Sequence, residues 1–230
     1  MKRFINLMAA ATAVLAAAAQ NKDYAINVGD FHEFTVVNNI SVIYRQNPDS
    51  MGYAVYSCLP AVASDITFSN KDSKLRIELN QEPTGAKLPT ITIYSLALTK
   101  ATNWGDSTVV IDNVNPGAEF KLKVIGNGEI IARDVKCTKA EASIETGNGH
   151  IFISGKCQQA KLNSISTGAI EAGNLQAVKA SCRITGTGSI DCYATEELKV
   201  SGIGSGTVYY RGTPQVKNKG LGIKVVKIKE

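Results

Sequence analysis

Two carboxylates, Glu171 and Asp191, stand 20 residues apart in a chain with few other groups suited to chemistry. Brought side by side, they could serve as an acid/base pair on a glycosidic bond; retaining glycosidases hold such a pair about 5–5.5 Å apart. Phe152, Tyr193, Tyr209 and Arg211 could surround them with aromatic surface and a cation, a mixture suited to sugar or protein contact. The other reactive groups are sparse. His32 and His150 are the only 2 histidines. Neither lies at a spacing that suggests a triad, so both read as solvent-exposed turn or strand residues. The 5 cysteines are Cys58, Cys137, Cys157, Cys182 and Cys192, with no CxxC pair and no zinc-type spacing with histidine. An odd number leaves at least one thiol unpaired within a monomer. Cys137 and Cys157 lie 20 residues apart and are either a disulfide or two neighbouring thiols. No further catalytic constellation, metal site or cofactor site is expected.

Whether Glu171 and Asp191 meet depends on a repeat. The chain has 20 Gly and only 6 Pro among 230 residues, which suggests many tight turns rather than a disordered linker. Turns containing Gly126 and Gly128, Gly147 and Gly149, Gly168, Gly186 and Gly188, and Gly204 and Gly206 each feed an apolar residue. Those residues are Ile130, Ile151, Ile170, Ile190 and Val208, at steps of 21, 19, 20 and 18. Trp104-Gly105-Asp106 and Gly220-Leu221-Gly222 read as degenerate copies at either end. No helix follows the Gly-x-Gly turns to offer an anion-binding N-terminus, so they are not dinucleotide loops. They also lack the Asp of calcium-binding solenoids.

Alternating segments precede the turns, as in Lys121-Leu122-Lys123-Val124 and Lys179-Ala180-Ser181-Cys182. Period-two alternation marks strands with one buried face. Short strands in 20-residue units are the size of one β-helix coil, each hydrogen-bonded to the next. The expected fold is therefore all-β, a right-handed parallel β-helix. An antiparallel β-sandwich is the alternative, but it does not require similar turns at near-constant spacing. Stacking would line up Ile130, Ile151, Ile170, Ile190 and Val208 inside, with Ala132, Ile153, Ala172, Cys192 and Tyr210 as a second inward column. This makes Cys192 a buried core thiol. The outward column between them would be Ile131, Phe152, Glu171, Asp191 and Tyr209.

Three segments follow. Residues 1–19 read as a secretory signal: Lys2 and Arg3, an apolar run from Phe4, and Ala17-Ala18-Ala19 before Gln20. Residues 20–100 fit the repeat poorly and are expected to start the solenoid irregularly and cap it. Residues 101–230 hold the regular coils, closed by an edge strand in Ile223–Lys229 whose lysines protect it. Cleavage after Ala19 lowers the formal net charge from +5 to +3, which gives no reason to expect nucleic acid. No Cys ends the apolar run, so a lipid attachment site is missing, and no membrane span is expected after cleavage. The periplasm, the outer surface and the medium are the candidate locations.

The chain resembles the Bacteroidetes autotransporter-adhesin head domain, the GIN domain. The resemblance rests on Phe34-Thr35-Val36, Ile40-Ser41-Val42, Leu75-Arg76-Ile77 and the ending Gly204-Ser205-Gly206-Thr207-Val208-Tyr209-Tyr210-Arg211-Gly212-Thr213-Pro214. It implies a β-helical fold similar to adhesin heads. The expectation is then an exported, non-catalytic envelope module that binds glycan or surface protein through Phe152, Glu171, Asp191, Tyr193, Tyr209 and Arg211. The alternatives are a carbohydrate-active enzyme using Glu171 and Asp191, or a structural envelope protein that self-associates end to end.

Overall fold

The computed structural model describes residues 20–81, 87–112, 114 and 117–229, so the expected signal segment 1–19 lies outside the described residues. The first strands are β1 (Lys22–Asn27), β2 (Glu33–Val37), β3 (Ser41–Gln46) and β4 (Tyr53–Cys58). A short helix α1 (Pro60–Ala63) precedes β5 (Ile66–Lys71), β6 (Lys74–Leu79), β7 (Thr90–Ser95), β8 (Lys100–Trp104) and β9 (Thr108–Asp112). The longer strands are β10 (Gly117–Ile125), β11 (Glu129–Ile144), β12 (His150–Ser164), β13 (Ala169–Gly186) and β14 (Ser189–Gly204). The chain closes with β15 (Thr207–Arg211), β16 (Gln215–Asn218) and β17 (Lys224–Lys227). Among the described residues these join as a 17-stranded sheet wound into a β-solenoid of about 6 turns at ~20-residue spacing.

Each of β11 to β14 bends round the solenoid and contributes to two of its faces. One face stacks β2, β8, β10, the later halves of β11, β12 and β13, and then β14 and β16, all parallel. The other stacks β3, β9, the opening residues of β11 to β14, then β15 and β17, again parallel. The two are called the lysine face and the acidic face below, for the side chains they expose.

The ladder begins earlier than the repeat suggests. β2 and β3 already lie in register with β8 and β9, pairing Phe34 with Ala101 and Val42 with Val109. The chain then leaves the ladder and returns on the far side of this first coil. There β6 and β7 pair in parallel with β2 and β3, joining Leu75 to Phe34 and Ile91 to Val42. Among the described residues, antiparallel pairing is confined to this end, between β1 and β4, β5 and β6, and β4 and β7. Reversed strands cover an edge that would otherwise present unpaired backbone groups.

The core is a set of columns. Val109, Ile130, Ile151, Ile170, Ile190 and Val208 pair one to the next and are all fully buried. Ala132 pairs with Ile153, and Ala172 with Cys192, which pairs with Tyr210. Across from them, Phe34, Ala101, Leu122, Ala142, Leu162, Cys182 and Val200 alternate larger and smaller side chains. Such alternation lets facing layers interlock at native density. The buried polar residues include Ser95, Thr102, Asn103, Ser107 and Ser164, and the Asn103 amide donates to the Ser107 carbonyl at 2.7 Å and the Glu129 carbonyl at 3.1 Å.

Glycine serves the corners in two ways. Gly147 has φ +78, a left-handed conformation that L side chains resist. Gly168 is needed for space, because a methyl group there would collide with the Gly149 carbonyl of the preceding coil. That carbonyl accepts the Ala169 N–H at 3.1 Å, so the coils touch backbone to backbone at the corner.

Truncating the central column should be costly. Ile170→Ala is expected to lower unfolding free energy by about 2–5 kcal/mol, whereas exposed Lys179→Ala should stay within about 0.5 kcal/mol. Urea unfolding followed by circular dichroism measures both.

Candidate functional site

The outward column of the acidic face is in register as the repeat suggests. Ile131, Phe152, Glu171, Asp191 and Tyr209 pair successively across adjacent coils. A shallow depression of about 300 Å³ is lined by Glu171, Asp191 and Tyr209 together with Ala169, Ile170, Ser189 and Ile228. Phe152, Tyr193 and Arg211 lie outside this lining. Phe152 is one coil before Glu171, and Tyr193 is in register with Arg211 at the far end of the strand.

Both carboxylates already hold cationic or imidazole partners. Arg211 Nη1 donates to Asp191 Oδ2 at 2.6 Å, a short charge-assisted bond. A local bulge in β13 makes room for it, since a side chain at Gly173 would collide with both partners. The second Asp191 oxygen, Oδ1, is buried without a hydrogen-bond partner among the described residues. Glu171 Oε1 lies 3.1 Å from His150 Nε2, and His150 Nδ1 lies 3.1 Å from Glu129 Oε1. His150 is thus not a solvated turn residue. It opens β12, half-buried, and spans two carboxylates from the coils on either side. The sequence signal for it was the single-repeat spacing of Glu129, His150 and Glu171. Ile228 was also missed, because it enters from the last segment of the chain. His32 is exposed.

The cysteines are free thiols. Cys137 and Cys157 stack in register on neighbouring coils. Burial pushes the Cys137 thiol up to about 11. Burial, with Cys137 alongside, pushes Cys157 up to about 12. Cys182 and Cys192 share a hydrogen bond between the two faces of the core, and with burial it holds the Cys182 thiol well above its ordinary value. Cys192 is therefore the core thiol expected from its column. No group of His, Cys, Asp and Glu suited to a metal ion occurs among the described residues.

The lysine face has its own electrostatics. Lys139 bridges Glu119 at 2.8 Å and Glu141 at 2.5 Å, and Lys121 reaches Glu119 at 3.0 Å. Further along, Glu197 lies between Lys217 at 2.9 Å and Lys199 at 3.1 Å. Hydrogen bonds from Lys139 and then Lys121 hold Glu119 below the usual carboxylate range. Lys139 does the same for Glu141, and Lys217 then Lys199 for Glu197.

Comparison with known proteins agrees with this geometry. The family described as "Putative auto-transporter adhesin, head GIN domain" matches residues 30–214. A putative adhesin from Bacteroides fragilis NCTC 9343 superposes with TM-score 0.83 at 25% identity, covering 92% of this chain and 98% of that one. A putative lipid binding protein from Parabacteroides distasonis ATCC 8503 gives TM-score 0.70 at 21% identity, covering 91% and 97%. A putative adhesin from Parabacteroides merdae ATCC 43184 gives 0.71 at 20%, covering 91% and 97%. No curated protein matches the chain. No helix among the described residues is long and apolar enough to cross a membrane.

Thiol reactivity and acid stability follow from these environments. Cys137, Cys157 and Cys182 should resist a disulfide reagent at pH 8 in the native protein and react once it is unfolded; Ellman titration with and without denaturant measures this. The depressed carboxylates contribute stability that is present above their ordinary value of 4.5 and is lost as pH falls through their lowered native values. The urea midpoint should therefore hold steady above about pH 5 and drop on further acidification.

Proposed function

Starting from a chain that belongs to the auto-transporter adhesin head GIN domain family, we propose an exported, non-catalytic envelope module that binds a glycan on its acidic face. One observation carries the reading: Glu171, Asp191 and Tyr209 occupy successive coils and line one depression. Carboxylate oxygens accept hydrogen bonds from sugar hydroxyls, and the half-exposed Tyr209 ring offers a flat apolar surface for a pyranose face. Arg211, outside the lining, holds the Asp191 carboxylate.

The same pair supports the second reading, a carbohydrate-active enzyme. Binding is favoured over catalysis by the adhesin family match, and the two carboxylates have different partners, Arg211 for Asp191 and His150 for Glu171. The extended solenoid, with ligand-facing side chains on a rigid sheet, suits a surface protein of the envelope. Its chemistry calls for no cofactor.

Probing a glycan array with the exported protein tests the proposal. Tyr209→Ala and Glu171→Gln should each weaken a positive signal by about 10-fold or more, the effect of losing a stacking or charged contact. Silence across the array at high protein concentration contradicts the glycan assignment. Turnover of a polysaccharide that disappears in a Glu171→Gln, Asp191→Asn double variant would favour the enzyme reading instead.

A further inference from the structure

The lysine face and the acidic face bury separate columns, one through Cys182 and the other through Cys192, so they present different sides of the solenoid. The outward side chains of the lysine face form columns that run along the solenoid. In one column Lys74, Glu33, Lys100, Lys121, Glu141 and Lys161 succeed each other, and Ser181, Lys199 and Lys217 continue it. At two places the ammonium groups stand outermost. Lys161 and Lys199 are 64% and 60% exposed, against 23% and 20% for Glu141 and Glu197 beneath them.

Ser181 interrupts this column. Its short side chain, with Ala160 and Ala180 as the floor, leaves a depression of about 350 Å³ walled by Lys139, Lys161, Lys179 and Lys199, with Gln159 and the ion-paired Glu197 also in the lining. With four ammonium groups against one carboxylate, the depression keeps a net positive charge that suits a phosphate.

The last outward position of each coil on this face is unlike the rest. There stand Trp104, Ile125, Ile165, Ile203 and Leu221, interrupted by Glu145, which turns back to Lys123 at 2.6 Å, and by Thr185. Trp104 is 51% exposed, Ile165 46%, Ile203 64% and Leu221 69%. An exposed apolar ridge beside rows of lysine is the pattern of surfaces that lie on lipid, the ridge entering the headgroup boundary and the cations meeting anionic headgroups. At ~4.8 Å per strand the face extends for roughly 40 Å.

We propose that the lysine face docks on an anionic phospholipid surface, with a headgroup phosphate in the Ser181 notch and the Trp104–Leu221 ridge inserted at its edge. The acidic face then lies on a different side of the solenoid from the membrane contact. The ridge decides for lipid over a soluble polyanion, which would engage the lysines and leave aliphatic side chains in water.

Vesicle flotation of the full chain tests this, using phosphatidylcholine vesicles with or without about one quarter phosphatidylglycerol. Binding should be at least about 10-fold stronger with phosphatidylglycerol and should fall away in about 0.5 M salt. Ser181→Glu adds a second carboxylate, beside Glu197, among four lysines, so it should keep or raise the thermal midpoint while lowering flotation by about 10-fold. Ile203→Asn with Leu221→Asn, both at exposed positions, should weaken flotation without lowering the response to salt. Equal binding to uncharged vesicles, or flotation unchanged by Ser181→Glu or by the ridge variants, overturns the proposal. So does capture of dextran sulfate or inorganic phosphate with no flotation. None of these readouts depends on Glu171 or Tyr209, so they are independent of the glycan assignment.

Discussion

The constraint on which this molecule rests is the backbone ladder between parallel coils. Every coil offers N–H and C=O groups along its edge, and only another coil of matching path can satisfy them without reversing direction. Corner bonds such as Ala169 N–H to the Gly149 carbonyl and Ser189 N–H to the Gly168 carbonyl, both 3.1 Å, show the ladder passing through the turns. A side chain at those glycines would push the coils apart. Near-equal coil length and small corner residues are thus two aspects of one requirement.

From that ladder follows the separation of chemistry by face. In-register stacking converts a choice made once per coil into a column, so like environments accumulate along the axis. Interior positions become a continuous apolar core, exemplified by Ile130, Ile151, Ile170 and Ile190. One outer face collects lysines above half-buried glutamates, and the other collects Glu171, Asp191 and Tyr209. Neighbouring charges on a column must also accommodate each other. The bulge at Gly173 lets Arg211 reach Asp191, and His150 spans the interval between Glu129 and Glu171.

Much of this was legible in the sequence where the repeat is regular. The steps between Ile130 and Val208 placed the first inward column and the outward column correctly, because a period near one coil admits little freedom in register, while an extra residue in β13 interrupts the second inward column between Ile153 and Ala172. Trp104-Gly105-Asp106 and Gly220-Leu221-Gly222 likewise fall at true corners, between β8 and β9 and between β16 and β17. Residues 20–100 were harder to read. Leu75 and Ile91 join the ladder through an excursion of irregular length, and their pairing with Phe34 and Val42 reverses the order of coils along the chain. Periodicity cannot reveal a coil laid down out of sequence. The role of His150 was hidden for a different reason: its partners are one coil away on either side, so no local motif contains them.

Cross-strand nuclear Overhauser contacts measure the ladder most directly. If the coils stack in parallel register, backbone protons of Ile130 will contact Ile151, those of Ile151 will contact Ile170, and those of Ile170 will contact Ile190, at the ~4.8 Å spacing of neighbouring strands. Contacts that instead join each isoleucine to an antiparallel neighbour from its own turn would contradict the solenoid, and with it both proposed faces.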